Sequence, residues 1–343
     1  MMMKSMLGVI DATTYKDDLE ELIAHRSLAG LPIAGRYRLI DFVLSNMVNS
    51  GIGSVAIFPK YQYRSLMDHL GSGKNWDLDR KRDGLFFFPA SITDGTSEGI
   101  GSFNQFAANI DYFLRSKQEY ALVANCYTVF NMDFNPVLER HLQSGCDITE
   151  IRSGDESLEI YLVKKSLLVD LIQTRDITGY TCMKDIRLDI HHNYKICDYE
   201  YTGYAEKIDS ISTYFRVSSE ILKMNIWSQL FLKDRPIFTK VKDEPPTHYT
   251  NTSEVKNSMI ANGSVIKGKV ENSIIARAVK IGKGSTIKNC IIMQKCTIGD
   301  NCELDSVILD KDVVVESGTR MNGNLNSPFV VRKGTVQGAL MNS

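Results

Sequence analysis

The sequence predicts two units in series: an α/β unit with a doubly wound, mostly parallel sheet, followed by a C-terminal parallel β-helix. Three observations carry this prediction. Short apolar runs alternate with segments of helical spacing over residues 1–232, and a stretch rich in proline and charge follows at 233–250. From 251 to 343 an internal repeat with a period of about six takes over. The length of 343 residues exceeds one typical domain, and 43% hydrophobic with 24% charged residues is globular composition that excludes a disordered chain.

The first unit is read from its strands. Met6–Asp11, Ser54–Lys60 and Glu119–Asn125 are short apolar runs bounded by polar residues or glycine, the pattern of buried strands. Tyr61–Leu70 and Phe103–Leu114 have helical spacing, and Asn135 is placed to cap a helix over Pro136–Leu142. Strand, helix, strand in that order implies right-handed crossovers. Such sheets bind ligands beyond the carboxyl ends of their strands, so function is to be sought just after those strands.

Pro236, Pro245 and Pro246 among charges mark the linker. Beyond it, Asn257-Ser-Met-Ile, Asn272-Ser-Ile-Ile, Asn289-Cys-Ile-Ile and Asp305-Ser-Val-Ile recur at spacings of 15, 17 and 16 residues. Aliphatics about every six residues, with glycine at corners, suit stacked three-sided coils with one inward aliphatic per face. Ile281, Ile287, Ile298 and Leu304 are the expected inward positions. Cys290, Cys296 and Cys302 share the repeat period, so they read as small buried hydrophobes rather than a metal ladder.

The bulk numbers exclude several function classes. A net charge of -1 gives no field that would draw the chain to nucleic acid or anionic membrane. No apolar run is long enough to span a bilayer, and Met1–Leu7 lacks the form of a signal peptide. The 7 scattered cysteines, without a C-x-x-C pair, suggest reduced thiols in a cytoplasm and no structural zinc.

Two phrases carry a family resemblance. Leu31–Asn49 (LPIAGRYRLIDFVLSNMVN) with Ser50-Gly-Ile, and Gly73–Asp83 (GKNWDLDRKRD), resemble segments of bacterial glucose-1-phosphate adenylyltransferases (ADP-glucose pyrophosphorylases). That resemblance covers nearly the whole chain. It implies a nucleotidyltransferase-like domain followed by a left-handed β-helix. Within the family, the chain looks like the D-type, regulatory members, because the catalytic motifs are degenerate.

In the active members the resemblance implies a Gly-Gly-x-Gly-x-Arg phosphate turn after the first strand. Thr13, Thr14 and Lys16 replace its glycines here and Asp18 its arginine, with Asp17, Glu20 and Glu21 adding negative charge. The acids also suit the start of a helix over Asp17–Ala24. Two family aspartates bind magnesium, and their positions carry Tyr127 and Lys207. Magnesium binds through one or two carboxylates plus substrate phosphates, which a phenol and an ammonium do not supply. Asp209 or Glu206 would be the substitute ligands in a rearranged site. The family lysine near the sugar maps to Leu28, the Gly-Thr-Ala phrase to Gly101–Phe103, and the segment that holds the sugar phosphate is missing between Ile151 and Asp155. Phosphoryl-type transfer depends on loop, lysine and metal together, so the chain's own catalysis is expected to be weak or absent.

The resemblance maps His25, Arg26 and Arg38 onto positions that bind anionic, phosphorylated effectors, and Arg36 and Arg80 would extend the set if the fold gathers them. It implies a non-catalytic regulatory subunit in glycogen biosynthesis, with no cofactor of its own and magnesium only through a catalytic partner. The expected assembly is a hetero-oligomer with that catalytic subunit, a tetramer by resemblance, or a homo-oligomer of the chain alone. The alternative is an active adenylyltransferase with rearranged magnesium ligands. A β-helix acyltransferase is a third reading, weakened because His248, before the coils, is the only histidine beyond His192.

Overall fold

The computed structural model describes residues 5–80, 82–90, 99–191 and 193–338; Met1–Lys4, Lys81 and His192, which figure in the readings above, lie outside them. Seven strands form the main sheet of the first unit. They are β1 (Met6–Ala12), β2 (Ser54–Pro59), β3 (Gly84–Phe87), β4 (Tyr120–Asn125), β5 (Ile148–Ser153), β6 (Glu156–Lys164) and β7 (Ile196–Glu200), in the spatial order β7-β5-β6-β4-β1-β2-β3. Only β6 runs antiparallel to its neighbours β4 and β5. β1, β2 and β4 are buried along their whole lengths, as expected of central parallel strands with both faces covered. That is why they show as unbroken apolar runs.

Local chemistry shifts three helices from their expected limits. The helix expected over Tyr61–Leu70 is confined to Arg64–Leu70, because Gln62 takes a left-handed backbone (φ 44°). Phe103–Leu114 is split into Phe103–Ala108 and Ile110–Arg115. Asn109 sits at the break and donates from Nδ2 to Gln105 O at 3.0 Å, a local bond that competes with helix continuation. Asn135 is the first residue of the helix Asn135–Ser144 rather than its cap, and Asp133 Oδ1 accepts from its backbone N–H at 2.9 Å.

The second unit is a left-handed parallel β-helix with three ladders of six, five and five short strands. Ile281, Ile287, Ile298 and Leu304 are all buried, in the inward columns where sequence periodicity places them. The register is one residue off at the fourth repeat. Ile291 pairs with Ile308, so Asn289 aligns with Ser306 and not Asp305. The corner requires a left-handed backbone, which Asn257, Asn272, Asn289 and Ser306 all adopt. Asp305 instead accepts from Asn289 Nδ2 at 2.9 Å and ends a chain of stacked amides. The first rung, His248–Tyr249, already pairs with Val265–Ile266 and lies within the stretch read as linker.

The cysteine expectation is met in part. Cys290, Cys296 and Cys302 are buried, and their thiols reach backbone carbonyls of Lys288, Asp310 and Glu316 at 3.0–3.1 Å. Among the described residues no three His, Cys, Asp or Glu side chains gather to hold a metal. Contrary to the expectation of thiols throughout, Cys146 and Cys197 are disulfide-bonded. They lie 51 residues apart in sequence, but β5 and β7 are neighbours, which brings their Cα atoms to 6.0 Å. No described helix is long and apolar enough to cross a membrane.

The two units are bolted together. Ile291, Met293 and Ile308, on one face of the β-helix, join the core of the α/β unit. Arg26 Nη2 donates to both oxygens of Asp310, at 2.6 and 2.9 Å, while its Nη1 donates to Leu22 O at 2.6 Å. The two side chains are only 3% and 2% exposed. Nearby, Arg277 Nη2 donates to Arg36 O and Lys240 O. Gly35, with φ +74°, takes a left-handed backbone that favours glycine where it sits against Ile275 of the β-helix. The linker itself is pinned: Phe238 N donates to Ser45 Oγ and Asn49 Nδ2 to Pro236 O.

This packing sets two stability expectations. Ile298→Asp should cost about 3–5 kcal/mol in denaturant unfolding, by burying a carboxylate in a dry stack; an unchanged midpoint would refute the inward register. Asp310→Ala, which strands a buried guanidinium, should cost about 3–5 kcal/mol, and the double variant Arg26→Met/Asp310→Leu should recover most of it. Equal losses in both variants would show that the charge pair is not the bolt.

Candidate functional site

The ligand side of the sheet lies at the carboxyl ends of β1 and β4. Asp11, the last but one residue of β1, is fully buried. Its Oδ1 accepts from Thr13 N at 2.8 Å, and its Oδ2 from Gly101 N at 2.6 Å and Ser102 N at 3.3 Å. Burial pushes its pKa up, while those hydrogen bonds pull it back. Asp11 thus ties the loop after β1, through Thr13 N, to the loop before the helix Phe103–Ala108, through Gly101 N and Ser102 N. Sequence reasoning passed over Asp11, although the acid closing an apolar strand was a visible signal.

β4 ends in Asn125, whose Oδ1 accepts from Tyr127 N and Thr128 N, both at 2.9 Å. This side-chain turn bends the chain so that Tyr127 points inward, only 2% exposed. Its hydroxyl donates to Glu159 Oε2, and Lys16 Nζ lies 5.3 Å from its ring centre. Burial and the Glu159 carboxylate hold the phenol protonated, with a pKa well above its usual value. Glu159 reaches this place from a left-handed backbone (φ 53°), a strained conformation for a non-glycine residue.

Lys207 lies on the short strand Ala205–Lys207, paired antiparallel to Thr128–Phe130. Its Nζ is 3.0 Å from Glu156 Oε1. The substitute ligands are engaged elsewhere: Glu206 Oε2 accepts from Arg216 at 2.8 Å, and Asp209 Oδ1 from Thr213 Oγ1 at 2.9 Å. Magnesium therefore does not fit this group. The two metal positions of the family carry a buried phenol and a paired ammonium, and the buried carboxylate of Asp11 already accepts three backbone hydrogen bonds. Of the other degenerate positions, Thr13 and Thr14 are half-buried, Asp18 is exposed, and Leu28 is part of the core. Lys16, Tyr127 and Glu159 form one cluster at this cleft, and Lys207 with Glu156 forms a pair beside it.

Of the expected effector residues, Arg26 and Arg38 lie near each other at the seam, and His25 does not share their burial. His25 is exposed. Arg26 is not a free cation but the buried partner of Asp310. Arg38 donates to Ser65 O at 2.7 Å, and its pKa is lowered to about 10, first by burial and then by its neighbours Arg26 and Arg277. Arg36 rests on the Tyr37 ring, and Arg80 is paired with exposed Asp77. The seam supplies a further cation that sequence could not place, Lys311. Its pKa falls to about 7 through burial and the proximity of Arg38, Arg26 and Lys333, only partly offset by Asp310.

The two phrases that carry the resemblance are tied to each other. Asp41 receives the Arg38 backbone N–H at 2.9 Å and holds His69 Nε2 at 2.6 Å. Trp76, from the second phrase, packs edge-on against His69 and donates to Ser45 Oγ at 3.2 Å. These residues pack against and hydrogen-bond one another.

Residues 21–158 match the nucleotidyl transferase family, and residues 245–328 match the GlmU-like C-terminal hexapeptide family. The chain is 61% identical over 341 residues to glycogen biosynthesis protein GlgD of Geobacillus stearothermophilus, covering 99% of each chain. It is 54% identical over 338 residues to GlgD of Bacillus subtilis (strain 168), covering 98% of each. A glucose-1-phosphate adenylyltransferase of Bacillus anthracis is 25% identical over 352 residues, covering 91% of this chain and 93% of that one. With the identity to GlgD sustained from end to end, the chain belongs to the GlgD family and is more distantly similar to glucose-1-phosphate adenylyltransferases.

Proposed function

We propose that this chain is a non-catalytic, regulatory subunit of glycogen biosynthesis, acting on a catalytic homologue that makes ADP-glucose from ATP and glucose 1-phosphate. The observation that carries the reading is that Tyr127 and Lys207, which the resemblance maps to the two metal positions, are each paired within the chain. Magnesium enters only through the partner. The assembly is a cytoplasmic hetero-oligomer, a tetramer by family resemblance. The commitment of Glu206 to Arg216 and of Asp209 to Thr213 speaks against an active enzyme with rearranged ligands.

Regulation is placed at the seam between the two units. Lys311 has Arg38 and Lys333 beside it, and of the carboxylates nearby Asp310 is taken by Arg26 while Asp41 and Asp68 act on Arg38. Such a cluster suits a phosphorylated small molecule, with exposed His25 at its margin. A subunit biases its partner only by binding one partner state more tightly, with a typical coupling of about 1–3 kcal/mol.

The purified chain should release no pyrophosphate from ATP and glucose 1-phosphate above background. Adding it at saturation to the catalytic homologue should change that enzyme's activity or half-saturation by roughly 5–150-fold. Identical kinetics with and without the chain would refute the regulatory role.

Lys311 offers a pH test with a definite sign. Its pKa in the fold, about 7, lies below the ordinary 10.5, so the unfolded chain holds more protons between those values. Stability should therefore rise with pH from about 7 towards 10, and the rise should shrink in Lys311→Met. Inorganic phosphate should raise the melting temperature of the parent chain at pH 7 more than that of the variant. A parent-to-variant difference independent of both pH and phosphate would remove Lys311 from the proposed site.

A further inference from the structure

Cys146 and Cys197 differ from the other five cysteines in position and chemistry. Cys146, buried, lies two residues before β5, and Cys197 lies in β7, the last strand on that edge of the sheet. Cys197 is half-buried, within reach of a small thiol from solvent, whereas Cys126, Cys182, Cys290, Cys296 and Cys302 are buried. Burial pushes the thiols of Cys126, Cys182, Cys290 and Cys296 up, the last two to about 12. Those thiols stay protonated at neutral pH and do not compete in exchange.

The bond also sits where it controls something. After β7 the chain passes through Tyr201, whose hydroxyl donates to Asn131 O at 2.8 Å, and then forms Ala205–Lys207. That strand pairs with Thr128–Phe130 and sets Lys207 against Glu156 at the cleft. Residues 196–207 thus form a strap from the sheet edge to the cleft. Besides the disulfide, its near end is held by the ladder to β5 and by exposed pairs such as Arg187 with Asp198 at 3.0 Å. Exposed ion pairs contribute little.

We propose that Cys146 and Cys197 form a reversible redox staple that sets how firmly the strap 196–207 is held across the cleft. In the reduced form both are thiols. The Cys197 thiolate attacks a low-molecular-weight disulfide, forming a mixed disulfide and releasing one small thiol. The Cys146 sulfur then attacks the Cys197 sulfur, gives up its proton and releases the second small thiol. Two protein thiols are oxidised by two electrons, and one small disulfide is reduced to two thiols. Excess small thiol runs the same steps backwards. The staple operates whether or not the chain is a regulatory subunit, and its test needs no activity.

The full-length chain, reduced with dithiothreitol and freed of it, is incubated with glutathione disulfide. Thiols titrated after denaturation should fall from 7 to the five of the unbonded cysteines. Amide exchange over 196–207 should slow by about tenfold or more on oxidation. Cys197→Ser should abolish both changes. Retention of all thiols, arrest at a glutathione adduct on Cys197, exchange that does not respond to oxidation, or the same slowing in Cys197→Ser would each overturn the proposal.

Discussion

The molecule depends on one buried charge pair, Arg26 with Asp310, which joins residues 284 apart in sequence. Removing two charges from water is costly, and only a bidentate geometry with further hydrogen bonds repays it. Here both carboxylate oxygens are engaged and the guanidinium also reaches Leu22 O. A pair of this kind is weak evidence for net stability, but it ties a residue of the α/β unit to one of the β-helix at a fixed geometry. Around it the Gly35 approach, the Arg277 bonds and the shared Ile291–Met293–Ile308 contact fall into place. The β-helix is a rigid stack, so fixing one face fixes the whole unit.

On the proposed reading, a phosphate-handling site has lost its ligand and kept its fold. A phosphate loop needs donors without partners, and donors without partners are costly when buried. In this chain Asp11, a carboxylate of β1, takes up the Thr13 and Gly101 donors. Tyr127 is buried, and its hydroxyl is satisfied by Glu159. These contacts pair the polar groups at the ends of β1 and β4 within the chain. A regulatory subunit of the kind proposed needs to hold one shape while its partner turns over.

Much of the fold was legible because it rests on short-range regularities. Apolar runs gave β1, β2 and β4, and the period of about six gave the inward columns around Ile281 and Ile298. The misses are places where one side chain overrides the pattern. Asn109 breaks a helix by bonding backwards, Asp133 takes over the role expected of Asn135, and the corner at Ser306 shifts a repeat by one residue. The degenerate positions could be named from the chain alone, but their pairings could not. That Arg26 meets Asp310, that Lys311 gathers with Arg38, and that Cys146 meets Cys197 are facts of tertiary proximity with no local signature.

The central claim is that turnover in the assembly belongs wholly to the partner. It is tested most directly in a mixed complex whose catalytic homologue carries a disabled metal site while this chain is left intact. Synthesis of ADP-glucose by that complex, measured with saturating ATP, glucose 1-phosphate and magnesium, should be indistinguishable from background. Magnesium-dependent synthesis above background would contradict the account.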